Sequence, residues 1–266
     1  MPAPGPWRRA ARELALVAAL FVAYKLGRMA VAGHADVALG NGVSVWHLER
    51  LLHLPAETLL QRPLLAHHWL AHLANGYYAY VHFPATVAGL LWLYLRHPRH
   101  YVWIRRVLAW LTAAAMAAHA LLPLAPPRLT PATGMVDVAG RFGPSVYGPP
   151  DTDVLANQYA AMPSLHVGWA IVVAVAVATV ARGPLRWICL AHPVLTLVVV
   201  VGTGNHYWLD AAVAAAMLAV VLAAVPRPGR VVRPGRALRA AGGEEVPVVP
   251  GQVRRIDIGA RGASTR

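Results

Sequence analysis

Apolar residues along this chain come in long unbroken runs rather than in alternation with polar ones. Six runs approach the ~20 residues that a helix needs to cross a hydrocarbon core of about 30 Å. They extend from about Glu13 to Val31, Tyr77 to Leu95, Val102 to Leu122, Ser164 to Val180, Leu185 to Val201 and Tyr207 to Val225. Pro163, Gly183, Pro184 and Pro226 stand at or near the ends of the last three, where helix breakers belong. The pattern predicts an all-α, polytopic membrane protein with six transmembrane helices.

The segments between the runs differ in character. From about Gly33 to Asn75, Val45, Trp46, Leu48, Leu51, Leu52, Leu54, Leu59 and Leu60 are scattered among polar residues, which predicts interfacial helices lying on a membrane. From about Pro123 to Met162 the chain is rich in Pro and Gly and has no period of its own. Ordered loops of that length tend to be functional. After Pro226 little remains to bury, so the expected organisation is a membrane domain over residues 1–226, its core motifs within 123–215, and a basic, disordered cytoplasmic tail over 227–266.

Composition agrees with a lipid environment: 58% of the 266 residues are hydrophobic and only 13% are charged. The net charge of +13 would suit nucleic acid if the basic residues formed one patch, but they sit at the ends of the apolar runs. Arg8, Arg9 and Arg12 precede the first, Arg96, Arg99, Arg105 and Arg106 lie between the second and third, and Arg182 and Arg186 lie between the fourth and fifth. Arg227, Arg230, Arg233, Arg236 and Arg239 follow the sixth. Cytoplasmic loops collect Arg and Lys, so every cluster is satisfied by a multi-pass cell-membrane topology with both termini cytoplasmic. The expected partners are the membrane and a lipid phosphate or phospholipid substrate, not nucleic acid. Cys189, the single cysteine, excludes an internal disulfide.

Under that topology two short segments open helices on the outer face: Met162-Pro163-Ser164-Leu165-His166 and Gly204-Asn205-His206-Tyr207-Trp208-Leu209-Asp210. Four residues apart on a helix, His206 and Asp210 project to one side, so the carboxylate accepts from one ring nitrogen and leaves the other lone pair exposed. A histidine so oriented is a nucleophile. Phosphoester chemistry further needs charge stabilisation on the non-bridging oxygens and an acid for the leaving oxygen. His166 is the candidate acid/base, while Ser164, with the free N–H groups at its helix start, and Arg128 are the candidate phosphate ligands. Nucleophile and acid are both histidine, so neither a metal nor another cofactor is implied. His47, His53, His67, His68 and His72 crowd the first outer loop, but with no carboxylates or cysteines at ligand spacing they read as interfacial residues.

These residues resemble the type 2 phosphatidic acid phosphatase superfamily and, within it, the inositol-phosphorylceramide-synthase-like branch. Pro163-Ser164-Leu165-His166 looks like that family's second motif, the segment from His206 to Asp210 like its third, and Pro126-Pro127-Arg128 like a proline-rich first motif. The resemblance implies a phosphohistidine on His206 oriented by Asp210, acid/base work by His166, phosphate binding by Ser164, and hydrolysis of a lipid phosphate or transfer of an inositol-phosphate-type head group. Two family cations are missing. Leu121 stands seven residues before Arg128 and Val200 six before His206. Lys25 and Arg28, three apart in the first apolar run, are the expected replacements, because ionisable groups inside a span are costly and usually functional.

A noncatalytic reading stands beside this one. Ser164 with Pro163 also suits any helix start, and a helical His–Asp pair can merely satisfy itself in a carrier or assembly subunit. An intramembrane serine protease built on Ser164 lacks the glycine-flanked serine of that chemistry.

Overall fold

The computed structural model describes residues 7–8, 10–16, 18–19, 22, 35–148 and 158–228. The described chain is helical, with no strand among those residues and a single parallel bridge between Leu124 and Ala160. The helices are α1 (Ala35–Leu51), α2 (Thr58–Ala66), α3 (His68–Gly76), α4 (His82–Arg96), α5 (Pro98–Leu121), α6 (Val138–Phe142), α7 (Leu165–Val180), α8 (Leu185–Gly202) and α9 (Trp208–Ala224). A π-helical turn, Tyr77–Val81, joins α3 to α4, and two 3₁₀ turns, Pro127–Leu129 and Pro131–Thr133, follow α5.

The apolar runs and the helices coincide closely where a breaker marks the boundary. Ser164 caps α7, its hydroxyl accepting from the Val167 N–H at 3.4 Å. Tyr207 and Asp210 close a reciprocal cap at the start of α9. Against the run predicted from Val102, α5 begins earlier, at Pro98, whose fixed φ and missing N–H suit the first helical turn. The run from Tyr77 is not one α-helix, because the π-helical turn interrupts it. Of the first run, Glu13 pairs with Arg105 of α5, while residues 23–34, including Lys25 and Arg28, lie outside the described residues, as does the tail from 229.

Six transmembrane helices were expected. Among the described residues no helix is both long and apolar enough to cross a membrane. With 16 residues, α7 rises about 24 Å against a core of about 30 Å, and the longer α5 carries Arg99, Arg105 and Arg106.

At the centre lies α7, packed against α4, α5, α8 and α9. It buries residues around its circumference, including Val167, Gly168, Ala170, Val172, Val173, Ala174 and Ala176, as expected of a helix surrounded by others. The main core joins Leu93 of α4, Trp103, Ile104, Val107 and Leu111 of α5, Val172 of α7 and Leu218 of α9. A second cluster, Val167, Val200, Val201 and Ala211, locks the start of α7 and α9 to the end of α8. It therefore fixes the ends from which both histidine motifs emerge.

The first predicted outer loop folds into α1, α2 and α3, and part of it packs against the site-bearing segments rather than lying apart. Gly42 of α1 faces Thr130, Ala125 and Tyr207 so closely that an added Cβ would stand 2.5 Å from the Thr130 hydroxyl. The Ala125 N–H donates to the Ala38 carbonyl at 2.9 Å, and the Asn41 amide donates to the Pro123 carbonyl at 2.7 Å. Gln61 of α2 braces the second loop, exchanging two bonds with the Val136 backbone at 2.8 and 2.9 Å.

Candidate active site

Three segments far apart in sequence are stitched into one cradle by backbone hydrogen bonds. The Leu124 N–H donates to Tyr159 and the Ala161 N–H donates to Leu124, at 2.8 and 3.2 Å. The Arg128 N–H donates to the Gly204 carbonyl at 2.9 Å, and the Ser164 N–H donates to the Asp210 carbonyl at 3.0 Å. Gly204 makes the third contact possible. Its φ is +77°, a left-handed backbone, and a side chain there would meet the Arg128 Cβ at 3.0 Å. The two histidine segments and the Arg128 turn thus face each other across a pocket of about 460 Å³ of empty volume.

His206 sits at its wall, 6% exposed. The ring Nδ1 is 2.9 Å from the Ala161 carbonyl oxygen and 3.1 Å from Asp210 Oδ2. A carbonyl can only accept, so Nδ1 carries the proton and donates to both. The Nε2 lone pair then faces the pocket. His166 Nδ1 lies 3.4 Å from it, the only direction for that bond being donation from His166. Asp210, fully buried, also accepts the Tyr207 N–H at 2.9 Å through the same Oδ2. Its position is set by the α9 cap as much as by the histidine.

Arg128 enters from the opposite loop with its side chain almost wholly buried. Its Nε donates to Asn205 Oδ1 at 3.1 Å and one Nη to Gln158 Oε1 at 2.8 Å, while the guanidinium stacks 4.8 Å from the Tyr147 ring centroid. Asn205 is itself oriented, donating to Thr203 Oγ1 at 2.8 Å. The remaining Nη1 has Asp137 at 3.7 Å and no hydrogen-bond partner among the described residues. A buried guanidinium nitrogen left this way is suited to an anionic oxygen.

Of the residues singled out in the sequence, His166, His206 and Arg128 line the pocket, with Asp210 and Ser164 directly behind. Lys25 and Arg28 lie outside the described residues. The two positions where the family cations were missed point elsewhere: Leu121 is 80% exposed and Val200 belongs to the apolar cluster beneath the site.

Several site residues escaped the sequence reading. His119, in the last turn of α5, is buried, lines the pocket and donates from Nε2 to the Pro163 carbonyl at 3.1 Å. Gln158 and Asn205 hold Arg128, and Tyr147 covers it. Glu49, within the segment expected to lie on the membrane, is fully buried, and its Oε1 accepts the Leu209 N–H at the start of α9 at 2.7 Å. Burial and the neighbouring Glu57 raise its pKa to about 9, so it holds its proton at neutral pH. A polar residue in the otherwise apolar last turns of its run was the one signal available for His119. Nothing local distinguished Gln158 or Glu49.

The PAP2 superfamily profile matches residues 43–225, which runs from the second half of α1 through α9 and includes every residue of the cradle. The chain belongs to the PAP2 superfamily. This membership supports a phosphatase-type enzyme. No curated protein and no solved structure matches the chain. The inositol-phosphorylceramide-synthase-like branch therefore has no further support from these comparisons.

Proposed function

We propose that this PAP2 protein is a membrane-embedded lipid phosphate phosphatase or phosphotransferase acting through a phosphohistidine. One observation carries the reading: His206 Nδ1–H donates hydrogen bonds to the Ala161 carbonyl and Asp210, which leaves its Nε2 lone pair for a pocket that Arg128 also lines. His206 Nε2 attacks phosphorus as the bond to the leaving oxygen breaks, and His166 gives that oxygen its proton. Water or an alcohol then attacks the phosphohistidine while neutral His166 takes the proton of the incoming hydroxyl, releasing His206. Arg128 and the first N–H groups of α7, capped by Ser164, hold the non-bridging oxygens. Both proton transfer and attack belong to histidines, so this scheme calls on no metal.

A lipid substrate and a membrane location with both termini cytoplasmic are part of the same proposal. Exposed apolar side chains on the outer surfaces of α4, α5, α8 and α9, among them Leu91, Trp110, Val194, Val198 and Val220, support it. Hydrolysis and transfer of an inositol-phosphate-type head group use the same residues, since water and an alcohol attack the same phosphohistidine. The test is a labelled-lipid assay in detergent, using phosphatidic acid and phosphatidylinositol as donors, each with and without an added long-chain alcohol. Acid-labile label on the protein and product formation, both lost in H206A, are expected. Turnover unaffected by H206A in a folded protein overturns the proposal.

A further inference from the structure

The acid/base histidine of this scheme has its own support, which comes from the π-helical turn. An α-helix continuing from α3 into α4 would place Tyr77 and His82, five residues apart, on different faces. The turn closes instead through the His82 N–H donating to the Tyr77 carbonyl, an i to i+5 bond. Such turns cost hydrogen-bond geometry and recur at functional sites. Here the turn aims three rings inward. Tyr78 lies 4.6 Å from the His166 ring centroid at an interplanar angle of 33°, and His82 lies 5.2 Å away at 50°. Each partner is backed in turn. The hydroxyls of Tyr78 and Tyr147 hydrogen-bond, while His82 stacks on His192 at 5.4 Å and 20°. The Tyr77 hydroxyl reaches His192 Nδ1 and Thr196 Oγ1, both at 2.8 Å.

We infer that Tyr78 and His82 are positioning residues for His166, fixing its ring opposite His206 and favouring the charged form that protonates the leaving oxygen. The inference rests on the proposed reaction. An imidazolium against aromatic faces is stabilised, whereas aliphatic neighbours of equal size offer only contact. The charged or titratable groups around His166 are His206 and Asp210 from the third motif, Arg128 and Tyr147 from the second loop, His119 from α5, and Tyr78 and His82 from the turn, with His192 of α8 behind. His206 also packs on His166 but is the nucleophile, whereas Tyr78 and His82 from the turn take no part in bond making.

The experiment exploits leaving-group chemistry. p-Nitrophenyl phosphate expels a stable anion and needs little protonation, whereas short-chain phosphatidic acid expels diacylglycerol, whose alkoxide needs it fully. In Y78L and H82L, kcat on the phosphatidic acid is expected to fall about tenfold. KM should stay within about twofold and the alkaline limb of the kcat profile should move down by about half to one pH unit. Turnover of p-nitrophenyl phosphate should change less than about threefold. Y78F, which keeps the ring, and H82F are expected to retain the wild-type limb. If a leucine variant fails to fold, the phenylalanine variant at that position decides. Equal losses on both substrates, an unmoved limb in a slowed leucine variant, or a shifted limb in Y78F or H82F overturns the inference. H206A, inactive on both substrates, separates this failure from failure of the phosphohistidine scheme, in which wild type itself would turn over neither or H206A both.

Discussion

Replacing Asp210 by asparagine separates two roles that a catalytic carboxylate usually combines. In hydrolase triads the equivalent change costs about 10⁴ in kcat, because the amide turns the histidine into the wrong tautomer. Here the tautomer has a second keeper. The Ala161 carbonyl lies 2.9 Å from His206 Nδ1, nearer than Asp210 at 3.1 Å, and it accepts whatever residue stands at 210. An asparagine with its oxygen in the place of Oδ2 also keeps both the His206 and Tyr207 bonds. What disappears is the negative charge beside an imidazole that becomes cationic as it is phosphorylated. A charge-assisted bond is roughly twice as strong as a neutral one, a difference of about 1–2 kcal/mol, so kcat should fall about 5- to 30-fold. The new amide N–H₂ would occupy the site of Oδ1, which has no hydrogen-bond partner among the described residues, and should lower stability by about 1–3 kcal/mol. Rapid-quench measurement of phosphohistidine formation, with thermal unfolding in parallel, reads both effects. A loss as deep as that of H206A would show that Ala161 does not hold the tautomer. No loss at all would show that the carboxylate takes no part.

Other consequences follow from the same contacts. R128K keeps a positive charge but loses the planar fork shared between Asn205 and Gln158 and the stacking on Tyr147, so kcat/KM should fall about 10²-fold or more, and near-wild-type activity would refute the clamp. G204A forces a side chain into a left-handed backbone 3.0 Å from the Arg128 Cβ, and should cost about 1–2 kcal/mol of stability and weaken competitive inhibition by inorganic phosphate. Glu49 has its pKa raised from 4.5 to about 9, so the folded state keeps a proton that the unfolded chain has lost. Its contribution to stability is whole below pH 4.5 and declines as pH rises towards 9. E49Q, which cannot titrate, should flatten that decline in a thermal-unfolding series across pH, and an unchanged slope would place the titration elsewhere.

The elements of this protein were readable from its sequence wherever the signal was local. Ser164 beside Pro163 marks the start of α7 because a hydroxyl cap and a fixed φ act within one turn, and the apolar run after Tyr207 yields α9 for the same reason. His206 and Asp210 were likewise legible as a pair, but the helix-face reason was not the right one: His206 precedes α9, behind the extended N-cap Tyr207, and reaches Asp210 from outside the helix. Tertiary structure decided the rest. The helical frame turns His119 into the pocket and Leu121 out of it, two residues apart, a difference of phase that an all-apolar run does not reveal. Ala161 chooses the tautomer of His206 through a carbonyl, and every residue type has one. Gln158, Asn205 and Glu49 acquire their partners across gaps of 30, 77 and 160 residues. Spacing rules reach one or two helical turns, and beyond that only packing brings a donor to its acceptor.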